Sequence, residues 1–359
     1  MRTFLLLSTL LSVSFLTPQT ATAADKPSFV VGWSVYVGWD PWNYIARSGI
    51  LKKWADKYNV NIRVQRFDYA PSLDAFVAKN IDACAMTNME ALDMPAAAGI
   101  DTTALITGDY SNGNDAVLAR RGLTLQQLPG RKVLLVEKTV SEYLYERAMT
   151  LNGLESQIKK VKLINTSDSD IAGAFISDTS QDAVVTWKPM VSQIAKTKDV
   201  KVLFNSSQIP GEIVDLMVVR TDILKRPDGS GERFAKAITG AWYEATKLMS
   251  GKGPETDKVL REIATGSEDT LDSYKEQLAT TNLFYTPQAA GAFTIAADFR
   301  QKMNLVRQFC FAHGLLGEHA KSPDDVGIVY PDGSIQGDKN RVRLRFDATH
   351  MQMAEQGKL

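Results

Sequence analysis

Acidic and aromatic side chains gather in a few short stretches of this sequence. Asp40, Glu90, Asp109, Asp115, Glu142, Asp168, Asp170, Glu212 and Asp215 stand close behind apolar runs, in company with Trp39, Trp42, Tyr110 and Trp187. Only Lys138 and Lys188 bring positive charge to the same stretches. Carboxylates set around an indole suit a small planar cation. The ring face attracts the cation by about 0.5–2 kcal/mol. Each charge-assisted hydrogen bond along its edge adds about 1.5–3 kcal/mol net. An anion would instead want arginine or free helix N-termini. The expected contact set is Trp42 or Trp187 as the stacking face and Asp115, Glu90 and Asp215 as edge acceptors. Asp40 and Glu142 follow as further acceptors, and Thr87 and Asn88 as polar contacts. Plainer roles compete with these. Acids at helix starts cap them or complement their dipole. Trp39 and Trp42 lie three apart at a helix start, so one of them belongs to core packing.

The pattern does not ask for catalysis. The three histidines, His313, His319 and His350, form no HExxH pair, and no GxSxG elbow, Walker loop or GxGxxG turn is present. Cys84 lies in an apolar run and Cys310 in a helical pattern, so both read as small buried core residues rather than as a disulfide or metal pair. No metal and no cofactor is expected.

These residues need elements to hold them. Short apolar runs at 29–35, 60–67, 81–86 and 103–107 alternate with helical patterns at 41–58, 71–79 and 88–98, with Asp40 as N-cap and Pro41 at the first helical position. A second series follows, with strands at 117–120, 132–137, 161–165, 183–186 and 202–204 and helices at 141–151, 168–176 and 189–197. One more strand at 216–220 precedes a helical stretch reaching about 316. The alternation predicts α/β lobes with mostly parallel sheets. Ligands of such sheets bind beyond the carboxyl ends of the strands, which is where the acids and indoles stand. The last forty residues read as surface turns and short strands, with disorder expected past Met351.

Lys plus Arg and Asp plus Glu both number 41, so no field for nucleic acid or a membrane surface is built in. Arg2, the apolar stretch 4–16 and the small-x-small triplet Ala21-Thr22-Ala23 predict a cleavable signal peptide ending before Ala24. No Cys stands near that point for lipid attachment. The expected location is the periplasm. No later segment is apolar enough to span a membrane.

At the same strand ends the sequence resembles periplasmic solute-binding proteins of the nitrate/taurine (NitT/TauT) type. The resemblance is carried by Val31-Gly32-Trp33-Ser34, Gly38-Trp39 with Pro41-Trp42, Thr87-Asn88-Met89-Glu90-Ala91-Leu92, the run from Gly108 to Asp115, and Leu135-Val136-Glu137. It continues through Asn165-Thr166-Ser167-Asp168, Val185-Thr186-Trp187, Ser206 to Asp215, Gly240-Ala241-Trp242-Tyr243-Glu244 and Phe311 to Gly317. Within that type it looks like the subgroup associated with urea carboxylase-like enzymes and guanidine uptake. Departures fall at Asp40, where the subgroup usually has an uncharged residue, at Glu142 in place of His, at Lys188 in place of Asn, and across 68–74.

The resemblance implies an α/β fold of type II periplasmic binding proteins, with two lobes, an interlobe ligand cleft and a helical C-terminal extension. The expected division is 1–23 signal peptide, 24–111 and 215–316 for lobe one, 112–214 for lobe two and 317–359 as the extension. It implies no enzymatic activity, a small ligand such as guanidinium, and ABC permease subunits as partners. Urea, nitrate or a sulfonate such as taurine are rival ligands. A pyrimidine-synthase-like enzyme on the same fold would need a cleft bearing His and Cys.

Overall fold

The computed structural model describes residues 26–359, so the expected signal peptide lies outside the described residues. The strands, in chain order, are β1 (Ser28–Trp33), β2 (Asn61–Arg66), β3 (Ala83–Thr87), β4 (Thr102–Ser111), β5 (Ala116–Arg120), β6 (Lys132–Leu135) and β7 (Lys162–Asn165). They continue with β8 (Ala183–Thr186), β9 (Val200–Asn205), β10 (Val214–Arg220), β11 (Thr281–Leu283), β12 (Gly327–Val329), β13 (Ile335–Gln336) and β14 (Val342–Phe346).

Among the described residues they form two sheets, one per lobe. The larger runs β13-β12-β14-β4-β10-β3-β1-β2, with β11 on β4; the smaller runs β7-β6-β8-β5-β9. The chain crosses between lobes twice, from β4 into β5 and from β9 into β10. Both sheets are mixed rather than mostly parallel. β1 pairs in parallel with β2 and β3, but β10 enters antiparallel between β3 and β4, because it arrives from the other lobe. β5 likewise lies antiparallel to β8 and β9.

The central strands are apolar on both faces, which is how a sheet covered by helices on each side reads. β3 and β10 are buried throughout. The helix Ser230–Met249 buries Phe234, Ile238 and Trp242 beneath the large sheet, and Phe29 of β1 stacks on Phe234 at 4.4 Å.

Other expectations change as well. The helix expected over 41–58 is two, Pro41–Arg47 and Ile50–Lys57, because Gly49 turns the chain at φ +87°. The helix expected over 88–98 is one α turn, Asn88–Ala91, followed by a π turn, Leu92–Ala96, that accommodates Pro95. The C-terminal extension is not surface ornament. β14 pairs with β4, and Ile328, Leu344 and Phe346 are buried. The residues past Met351 belong to the helix Thr349–Glu355 and its tail, where Leu359 O accepts from Lys57 Nζ at 2.6 Å.

Candidate functional site

Three neighbouring strands bring the site together by register alone. Asp215 of β10 sits opposite Thr87 of β3 on one side and opposite Asp109 of β4 on the other. Residues opposite one another in a sheet share a face, so two carboxyls and a hydroxyl converge where these strands end. Asp115, just before β5, adds a third carboxyl from the lobe crossing.

Thr87, Asp115 and Asp215 border a small cavity between the lobes and supply its polar side, and Asp109 stands behind Asp215. Tyr36, Trp39, Tyr69 and Trp187 supply its walls, and Val140 and Ile213 close it. The aromatic rings form a continuous chain, with centroids 5.1 Å apart for Tyr36–Trp39, 5.2 Å for Trp39–Tyr69 and 5.9 Å for Tyr69–Trp187. The last pair meets edge to face at 77°. The space is about 280 Å³ with its open mouth included. Ligand pockets for drug-sized molecules run to roughly 300–1,000 Å³, so this one suits a molecule of a few heavy atoms.

The electrostatics are one-sided. Among the described residues, no Lys, Arg or His lines the cavity. Lys188 turns away toward Glu276, 3.3 Å distant. Arg66, at the outer groove, pairs with Glu268 at 3.0 Å. Burial therefore pushes the acids toward their neutral forms. Asp115 is raised to about 7 by burial, with the nearby Glu90 charge adding to it. Asp109 is raised to about 7 by burial, moderated by a hydrogen bond with Asp215. Asp215 is pushed well up by burial and by the charges of Asp109 and Asp115. Neither Asp109 oxygen has another side-chain or backbone partner, and one Asp215 oxygen also lacks one. Asp109 and Asp215 face each other in register, so a proton on either one relieves the repulsion between them.

Hydrogen bonds from behind hold this set. The Tyr69 hydroxyl accepts from Thr87 N–H at 3.1 Å, and Thr87 Oγ1 donates to Glu90 Oε2. Glu90 Oε1 accepts from Val140 N–H of the other lobe at 3.0 Å. The Tyr69 N–H donates across the same seam to Asp168 Oδ2 at 3.2 Å. The Tyr36 hydroxyl accepts from Asn114 Nδ2 at 3.3 Å. The lobes are thus closed upon the cavity.

Of the residues singled out in the sequence, Thr87, Asp115, Trp187 and Asp215 line the cavity, and Glu90 stands just behind it with both oxygens engaged. Trp42 does not reach it. Its indole stacks on Trp242 at 5.2 Å in the core, and Trp39 takes the wall position. The helix starting at Pro41 turns Trp42 inward, while Trp39 precedes that helix in the loop facing the cleft. Asn88 is spent on structure, donating to Glu212 O at 3.0 Å and accepting from Val214 N–H at 3.0 Å. Asp40 is buried outside the cavity near Ser267, raised to about 8 by burial, and makes no cap bond to the helix it precedes. Glu142 faces His313 and Glu146 rather than the cavity. Tyr36, Tyr69 and Asp109 were not singled out as contacts. Tyr36 and Asp109 carry a signal, since both stand at strand ends beside the chosen acids.

No family model matches the sequence, and no curated protein matches it. Solved structures do match the fold. The alkanesulfonate-binding protein SsuA from Xanthomonas axonopodis pv. citri, bound to MOPS, superimposes with a TM-score of 0.63 at 16% identity, over 82% of this chain and 96% of that one. The periplasmic nitrate-binding protein NrtA from Synechocystis PCC 6803 gives 0.57 at 11% identity, over 93% and 100%. A conserved Candida albicans gene product exhibiting the generic periplasmic binding protein fold gives 0.58 at 13% identity, over 78% and 90%. The chain therefore has the two-lobed periplasmic binding protein fold.

Proposed function

We propose that this chain is the solute-binding component of an ABC importer, exported to the periplasm, and that it captures a small planar cation, guanidinium first, between its lobes. The fold is shared with sulfonate- and nitrate-binding proteins, which supports the transport role. The observation that carries the choice of ligand is the cavity itself: buried Asp115 and Asp215, backed by Asp109, with aromatic walls and no cationic side chain in the lining. A sulfonate or nitrate there would face carboxylates with nothing to neutralise it. A guanidinium would donate to Asp115 and Asp215 along its edges and lay its face against an indole of Trp39 or Trp187.

Ligand contacts from both lobes favour the closed form. That form would dock on the permease, where another subunit's ATP hydrolysis drives release. No covalent chemistry is involved.

Calorimetry with guanidine, methylguanidine, urea, nitrate and taurine tests the reading. Guanidine binds tightest, and nitrate and taurine give no heat. Asp115→Asn and Asp215→Asn each lower guanidine affinity about 10–150-fold, the equivalent of about 1.5–3 kcal/mol for one charge-assisted hydrogen bond. Taurine or nitrate binding in place of guanidine refutes the ligand. Urea binding as tightly as guanidine refutes the requirement for charge.

A further inference from the structure

We propose that Glu142, Glu146 and His313 form a binding site for a divalent transition metal ion, zinc as first choice, across the seam between the two lobes. Glu142 and Glu146 lie one turn apart on the helix Val140–Leu151 of the smaller lobe. His313 comes from the larger lobe, at the C-terminal end of the helix Ala297–Ala312. Its imidazole reaches over the seam, with Nδ1 3.4 Å from Glu142 Oε1 and Nε2 3.0 Å from Glu146 Oε1. One ligand atom from each residue lies within 4.8 Å of the others. A tetrahedral zinc site with bonds of about 2.0–2.1 Å spaces its ligand atoms on the order of 3.3 Å apart. Each ring nitrogen now faces a different carboxylate, so binding a metal through Nε2 requires Glu142 Oε1 to leave Nδ1 and turn toward Glu146.

The ligands are oriented from behind. Glu142 Oε2 accepts from Lys138 N–H at 2.7 Å, which aims Oε1 at the site. The His313 ring stacks on Phe309, centroids 4.2 Å apart at 27°. Supporting contacts of this kind hold ligands in place in metal sites. Arg147, on the next residue of the same helix, is occupied by Glu212 at 2.8 Å and does not neutralise the pair. Two carboxylates and one imidazole are oxygen and nitrogen donors suited to zinc. The side chains stay partly open, Glu146 at 21% and His313 at 24% exposure, so water can complete the coordination. Because the ligands come from both lobes, the metal binds only where the lobes meet, and mass action then favours closure. Val140, whose N–H holds Glu90 behind the cavity, lies two residues before Glu142. The metal therefore acts on the same seam as the cavity but through separate residues.

The test uses the untagged mature chain after treatment with EDTA, titrated with zinc chloride alone and followed by thermal shift and calorimetry. Zinc raises the melting temperature by at least about 3 °C at saturation, and magnesium does not. Glu146→Gln and His313→Gln each lose at least about tenfold in zinc affinity. Far-UV circular dichroism and the melting transition of the metal-free variants report that they are folded, and guanidine titration of the wild type, measured beside it, keeps the two readings separate. Absence of a zinc response in the wild type overturns the proposal. So does a response of equal size in both variants, or a histidine variant that opens the lobes while zinc has no effect on either protein.

Discussion

At the scale of single residues, a cavity with more carboxyls than cations must carry protons when empty. Burial raises Asp109 and Asp115 to about 7 and pushes Asp215 well up too, against an unfolded value near 3.9. Between those values the folded state binds more protons than the unfolded chain, so stability falls as pH rises through this window and levels off above the folded values. The empty protein should therefore melt at a lower temperature at pH 8 than at pH 5, and calorimetric scans check this. A cation needs the ionised forms, so its affinity moves the opposite way. Each carboxyl with a value of about 7 that must shed its proton contributes about tenfold tighter binding between pH 6 and pH 8. Titrations in buffers of different ionisation enthalpy would show the protons leaving. A pH-independent affinity would contradict this account.

At the scale of elements, the strand ends need close approach as much as they need the right side chains. Gly38, between β1 and the helix Pro41–Arg47, lies against Asp109. A Cβ placed there would fall 2.1 Å from Asp109 Oδ2 and 2.8 Å from its Cγ. Asp109 is fully buried and cannot swing into solvent. Gly38→Ala should then destabilise the protein by about 1–3 kcal/mol through overpacking. It should also weaken guanidine binding by displacing the carboxyl that supports Asp215. Gly49→Ala is the contrasting case, because nothing lies within 4 Å and only the φ of +87° is strained; it should lower stability without changing affinity. Chemical denaturation and calorimetry on the two variants separate the effects.

At the scale of the whole molecule, two sheets joined by two crossings can open and close about the segments between β4 and β5 and between β9 and β10. Away from the crossing segments, polar contacts across the seam include Glu90 with Val140 N–H, Asp168 with Tyr69 N–H, Lys188 with Glu276, and the His313 cluster. Bonds of this kind are worth about 0.5–1.5 kcal/mol each, and each biases the lobes toward closure. Small-angle scattering should show the radius of gyration falling by about an ångström when guanidine is added, as in hinge closure. Asp168→Ala, which is not in the cavity lining but frees the Tyr69 N–H across the seam, should lower guanidine affinity about fivefold by favouring the open form.

What the sequence by itself determined is the class of architecture and the chemical character of the site. Alternating apolar runs and amphipathic stretches marked the strands and most helices, because burial periodicity is a local property. The excess of acids at strand ends was legible for the same reason, and Thr87, Asp115, Trp187 and Asp215 stand at the cavity. The tertiary structure decided the rest. Which indole faced inward depended on where the helix at Pro41 began, which placed Trp39 at the wall and Trp42 on Trp242. The pairing of Asp109 with Asp215 depended on β10 returning antiparallel between β3 and β4, a contact between residues more than a hundred positions apart. His313 met Glu142 only through lobe packing. Long-range register and side-chain direction are set by the packing of whole elements, and no local pattern encodes them.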